Sequence, residues 1–103
     1  MRPPILGLIK HPAQSTEVQR NNARIGVALH AHRECFALVK TIELHGDDRA
    51  DAVALKDLTD VAASRHVTAV VVSGLGRNAP AVAVAQRAGL RVLALPILRR
   101  RVE

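Results

Sequence analysis

Apolar positions fall along this chain in two alternating rhythms. Short, nearly unbroken apolar runs are separated by longer stretches in which apolar residues recur every three or four positions. The first run, Ile5-Leu-Gly-Leu-Ile9, follows the extended Pro3-Pro4 pair and predicts a strand covered on both faces, ended by Lys10-His11-Pro12. Val18, Ile25, Ala28, Leu29 and His32 then recur at helical spacing and predict an amphipathic helix from about Glu17 to Ala31, its other face carrying Arg20, Asn21 and Arg24. Thr16 with Gln19 has the capping-box pattern, and Glu17 suits the positive end of the helix.

The second strand is expected over Cys35–Leu44, with Phe36, Leu38, Lys40, Ile42 and Leu44 on one face and Ala37, Val39, Thr41 and Glu43 on the other. Lys40 and Glu43 make one side wetter, as at a sheet edge. The turn His45-Gly46-Asp47-Asp48 leads to a helix over Ala50–Arg65, with Val53, Leu55, Leu58, Val61 and Ala62 as its apolar side. A β-branched run from Thr68 to Ser73 predicts the third strand. Pro80 opens a third helix to Ala88, Gly89 closes it, and Arg91–Leu95 is a fourth strand ended by Pro96.

The order is therefore βαβαβαβ in one domain, residues 1–103. Helical crossovers of this length require parallel neighbours, right-handed connections and helices on both faces. The predicted architecture is an α/β three-layer sandwich around a mostly parallel four-stranded sheet, flavodoxin-like or Rossmann-like.

Composition narrows the functional classes. The 103 residues are 49% hydrophobic, enough for a core without staples, yet include one Phe and no Trp or Tyr. Stacking platforms for single-stranded nucleic acid need exposed rings and are disfavoured. Fifteen Lys and Arg against nine Asp and Glu give a formal charge of +6, a surplus suited to phosphate backbones. The lone Cys35 makes no disulfide or cysteine metal motif and points to a reduced, cytoplasmic setting. The first ten residues lack a signal-peptide core. No window reaches the ~20 apolar residues of a membrane span, so no membrane partner is expected.

Candidate chemistry gathers where strands end. In a parallel sheet, the loop after the third strand lies at the carboxyl edge, which puts Ser73, Gly74, Gly76, Arg77 and Asn78 where a ligand would sit. Gly74-x-Gly76-x-x-Ala79 fits a dinucleotide fingerprint in its Ala variant, although it stands on the third strand and no acidic residue ends the next one. A tight strand-to-helix turn explains the same glycines. His11 and His45 end strands one and two and can converge at that edge, with solvated loop histidines the expected state; His30 and His32 lie on different sides of a helix. No metal or cofactor is expected. Asp47-Asp48 reads as a helix cap, and Arg99-Arg100-Arg101 as a basic tail within 97–103.

Over nearly its whole length the chain resembles the catalytic domain of the serine recombinases, the resolvase/invertase family. The likeness rests on Leu8-Ile9-Lys10-His11-Pro12 after the first strand, Gln19-Arg20 at the first helix, Asp48-Arg49 at the second, and Ser73-Gly74-Leu75-Gly76-Arg77 after the third strand. The resemblance implies a basic pocket for phosphate or a DNA backbone made by Lys10, Arg20, Arg49 and Arg77. It also implies that the family's nucleophilic serine falls on Pro12, which has no hydroxyl, and that the arginine before it falls on Lys10, which lacks the bidentate fork. Ser15 becomes a nucleophile only if the alignment shifts. The reading that follows is a catalytically inactive, resolvase-like domain with a DNA- or phosphate-binding or regulatory role. Two alternatives remain: a nucleotide-binding enzyme using the Gly74-Gly76 loop, and a protein-interaction module acting as a homo-oligomer or with another protein.

Overall fold

The computed structural model describes residues 2–76 and 79–95. The elements are β1 (Pro4–Lys10), α1 (Glu17–Arg33), β2 (Ala37–Leu44), α2 (Asp48–Ser64), β3 (Ala69–Ser73), α3 (Pro80–Arg87) and β4 (Arg91–Ala94). All pairings are parallel, in the order β2-β1-β3-β4. The fold is an α/β sandwich of three layers. Pro96 and the basic tail lie outside the described residues, as do Arg77 and Asn78.

Two apolar layers flank the sheet. On one side α1 sets Val27 and Ala31, with Ala23, on Ile5, Ile9, Ala69 and Val71. On the other, Leu58 and Ala62 of α2 and Ala81 and Ala85 of α3 cover Leu6, Leu8, Val70 and Val72. The continuous apolar runs of β1 and β3 are thus explained, since every second residue feeds a different core. Gly7 allows α1 to settle closely: a Cβ there would lie 2.8 Å from Val27 Cγ1.

Helix starts follow their sequence signals. Thr16 and Gln19 form the reciprocal capping box. Asp47 caps α2 by accepting from the Arg49 and Ala50 amides, 3.0 and 3.1 Å away. Pro80 stands in the first turn of α3, and Gly89 follows the helix at φ +82°.

Two expectations about faces are corrected. The first concerns α1, whose Val18, Ile25, Ala28, Leu29 and His32 are exposed while Ala23, Val27 and Ala31 turn inward. Small side chains bring the helix axis close to the sheet over Gly7, and close approach decides the face that a count of larger apolar residues did not. Arg20 and Arg24, assigned to the solvent face, are consequently half-buried. On α2, Val53 is likewise exposed.

The second correction concerns β2. The strand starts at Ala37, since Cys35 turns through φ 60°. Its register then slips: Ile5 pairs with Leu38 but Leu6 pairs with Lys40. The extra residue, Val39, is a bulge that reverses the alternation beyond it. Phe36 and Leu38 therefore pack with the α1 layer, whereas Val39, Ile42 and Leu44 pack with the α2–α3 layer. Glu43 is left on the α1 side.

Candidate functional site

At the carboxyl edge of the sheet, β1 sends its chain to α1 on one face and β3 sends its chain to α3 on the other. The loops part there, which is the place where open parallel sheets hold ligands. A cleft of about 750 Å³ occupies this point, bounded by the β1–α1 loop from Lys10 to Ser15, the β2 end at His45 and Gly46, and Ser73 and Gly74 after β3.

Gly74 joins the two loops. It has φ +76°, and a Cβ on it would lie 2.5 Å from the Lys10 carbonyl oxygen. The glycine is thus required by the close passage of β3's exit beside β1's exit. Gly76 has open space around its Cβ position and is not among the residues bounding the cleft.

Several residues on the walls of the cleft are held by charged partners standing behind them. His11 is 3% exposed and its Nε2 lies 2.7 Å from Glu43 Oε1. Glu43 is an acceptor when ionised, so Nε2 carries the proton of that bond. The same Oε1 accepts from Arg24 Nε at 2.8 Å. Arg24 Nη1 also stands 3.4 Å from Glu17. The bulge at Val39 makes this chain possible, because it turns Glu43 toward the layer where His11 and Arg24 lie. His11, expected in solvent, is therefore a buried residue whose ring stacks on His45 with centroids 5.2 Å apart and planes at 23°.

Across the cleft, Lys10 Nζ stands 3.7 Å from Asp51 Oδ2. Asp51 accepts from the amides of His45 and Gly46, both at 3.0 Å, and so ties the β2–α2 turn to β1. Ser15 is buried; its Oγ accepts from Arg20 Nε at 3.3 Å and its carbonyl from Arg20 Nη2 at 2.9 Å. Arg20 Nη1 is 3.4 Å from Glu17.

No family model, curated protein or solved structure matches the chain. Of the residues singled out by sequence, Lys10, Ser15, Ser73 and Gly74 bound the cleft, and exposed Pro12 lies on its β1–α1 loop. Arg20 is bound to Ser15 beside it. Arg49 is exposed on the first turn of α2 and is not brought to the cleft. Arg77 and Asn78 lie outside the described residues. Glu43, Arg24 and Asp51 were missed. The polar Glu43 within a strand was the available signal, but its partners stand 19 and 32 residues away and only the bulge aims it at them.

Among the described residues no group of three or more His, Cys, Asp or Glu is gathered closely enough for a metal ion. What the cleft offers is hydrogen bonding and charge: one ammonium, two imidazoles, two hydroxyls, two carboxamides and backbone amides.

Two carboxylates carry a pH signature. Burial pushes Glu43 up, but the hydrogen bonds from His11 and Arg24 and the Arg24 charge outweigh it, holding the carboxyl below its ordinary value. Burial likewise raises Asp51, and the His45 and Gly46 amides with Lys10 pull it below. The bond to Glu43 raises Arg24, against a smaller desolvation cost. A carboxylate lowered in the folded state adds stability above its unfolded pKa and loses it as pH falls through the folded one. Urea midpoints are therefore expected to drop as pH falls below about 5. In Glu43→Gln the drop is expected to be shallower, because one of the two contributing carboxylates is gone. A profile of the same slope in the variant would contradict the Glu43 assignment.

Proposed function

We propose that this chain is a resolvase-like domain that binds a phosphate group, free or in a DNA backbone, without transferring it. The observation carrying this reading is the meeting of the β1–α1 and β3–α3 loops at one cleft, with Lys10, Ser15, Ser73 and Gly74 together on its walls. The family's nucleophile position falls on Pro12, which lacks any atom able to attack phosphorus. The +6 formal charge favours a polyanionic partner at longer range. A binding or regulatory role follows, since covalent strand exchange has no nucleophile at that position.

Fluorescence anisotropy with a labelled duplex, and melting curves with inorganic phosphate, test the reading. The logarithm of duplex affinity should fall linearly with log salt, by a slope of about 0.9 per phosphate neutralised, and with similar loss on unrelated sequences. Melting temperature should rise with phosphate by mass action. Stabilisation by a dinucleotide, with indifference to duplex and to phosphate, would replace this reading with that of a nucleotide-binding enzyme.

A further inference from the structure

Among the described residues, the cations at and beside the cleft are each paired with a carboxylate. Lys10 is matched by Asp51, Arg24 by Glu43, and Arg20 by Glu17, which also lies beside Arg24. An anion entering here meets cations whose fields are largely answered by neighbouring carboxylates. The remaining titratable groups on the described walls are the stacked rings of His11 and His45.

We propose that the His11–His45 pair is the contact group for a tetrahedral oxyanion, and that the cleft takes up a proton as it binds one. The proposal rests on the phosphate-binding reading above and adds the groups responsible and their dependence on pH.

Hydrogen-bond chemistry gives the reason. Glu43 holds the Nε2 proton of His11 in either charge state, so protonation changes only Nδ1. In the neutral ring Nδ1 is an acceptor, which repels the lone pairs of an oxyanion. In the cation it is a donor and also carries the missing positive charge. Stacking at 5.2 Å opposes two imidazolium charges in an empty cleft, and an anion relieves that opposition. Among the described residues, the charged groups linked to the pair are Glu43 from β2, with Arg24, Glu17 and Arg20 from α1 behind it, and Asp51 from α2 with Lys10 from β1; Ser73, at the end of β3, is neutral. Their formal charges sum to zero. The proton must therefore come from solvent.

Sulfate is the discriminating probe, because it stays doubly charged at both pH values used. Calorimetric titration of the full chain with sodium sulfate at pH 6 and pH 8, each in two buffers of different ionisation heat, reads affinity and proton uptake together. Binding should be about tenfold tighter at pH 6 than at pH 8, with net proton uptake on binding. His11→Gln, whose amide still donates to Glu43, and His45→Gln, at an exposed ring, should each weaken the pH dependence. Should the first variant fold poorly, the second decides alone.

Equal affinity at both pH values with no proton taken up would overturn the proposal and leave the phosphate-binding reading standing. No sulfate binding at either pH would overturn both. A parallel titration with a short DNA duplex distinguishes the sources. The same proton linkage with duplex assigns the oxyanion to a nucleic-acid backbone, and linkage with sulfate alone assigns it to a free anion; both support the imidazole contact.

Discussion

Gly74→Ala is expected to destabilise the fold by roughly 2–4 kcal/mol, combining the cost of a left-handed non-glycine residue with that of forced overpacking. The Cβ would meet the Lys10 carbonyl oxygen at 2.5 Å, and its partner is backbone, which no rotamer change can move. At the middle of that range, about 3 kcal/mol, the melting temperature of a domain this size should fall by about 12–24 °C. Gly76→Ala is the matched control. Its Cβ meets nothing within 4 Å, so the change should stay within about 0.5 kcal/mol. Similar losses in both variants would mean that the loop is sensitive in general, and that the Lys10 contact is not what requires glycine.

Glu43→Ala should cost about 1–3 kcal/mol, the range for leaving a buried polar group without its partner. The side chain is 25% exposed, so solvent screens part of its attraction to Arg24. The larger loss comes from His11, whose Nε2 has no other described partner and sits in a ring 3% exposed. Glu43→Gln keeps an oxygen that can accept at the same place, without the charge, and should lose less than half as much. Chemical denaturation of Glu43→Ala, Arg24→Ala and the double variant would show coupling, since Arg24 Nε donates directly to Glu43 Oε1. Additive losses would place the stabilisation outside this pair.

Much of the fold could be read from local pattern. The runs Ile5–Ile9 and Ala69–Val72 are apolar throughout because both faces of central strands are covered, and their flanking glycines and prolines mark the ends. The caps at Thr16 and Asp47 and the first-turn Pro80 are short-range chemistry and equally legible. What local pattern does not encode is how closely two elements approach. Val18, Ile25 and Leu29 outweigh Ala23, Val27 and Ala31 in hydrophobicity, yet only the smaller set lets α1 lie over Gly7.

The site divides along the same line. Lys10, Ser73 and Gly74 were placed correctly at a strand's carboxyl end because β1 and β3 end there in any parallel arrangement. The Glu43–His11–Arg24 chain was hidden because a single extra residue at Val39 inverts the side of the sheet on which Glu43 emerges. Strict alternation would have carried Glu43 on a regular strand without indicating its partners. The buried state of His11 follows from that inversion and was invisible for the same reason.

Mapping amide chemical shifts of isotopically labelled protein during a sulfate titration tests the cleft most directly. The account predicts shifts concentrated at Lys10 to Ser15, His45, Gly46, Ser73 and Gly74, with the outer surfaces of α2 and α3 unmoved. Shifts gathered instead around Arg49, or spread evenly over the basic surface, would contradict it.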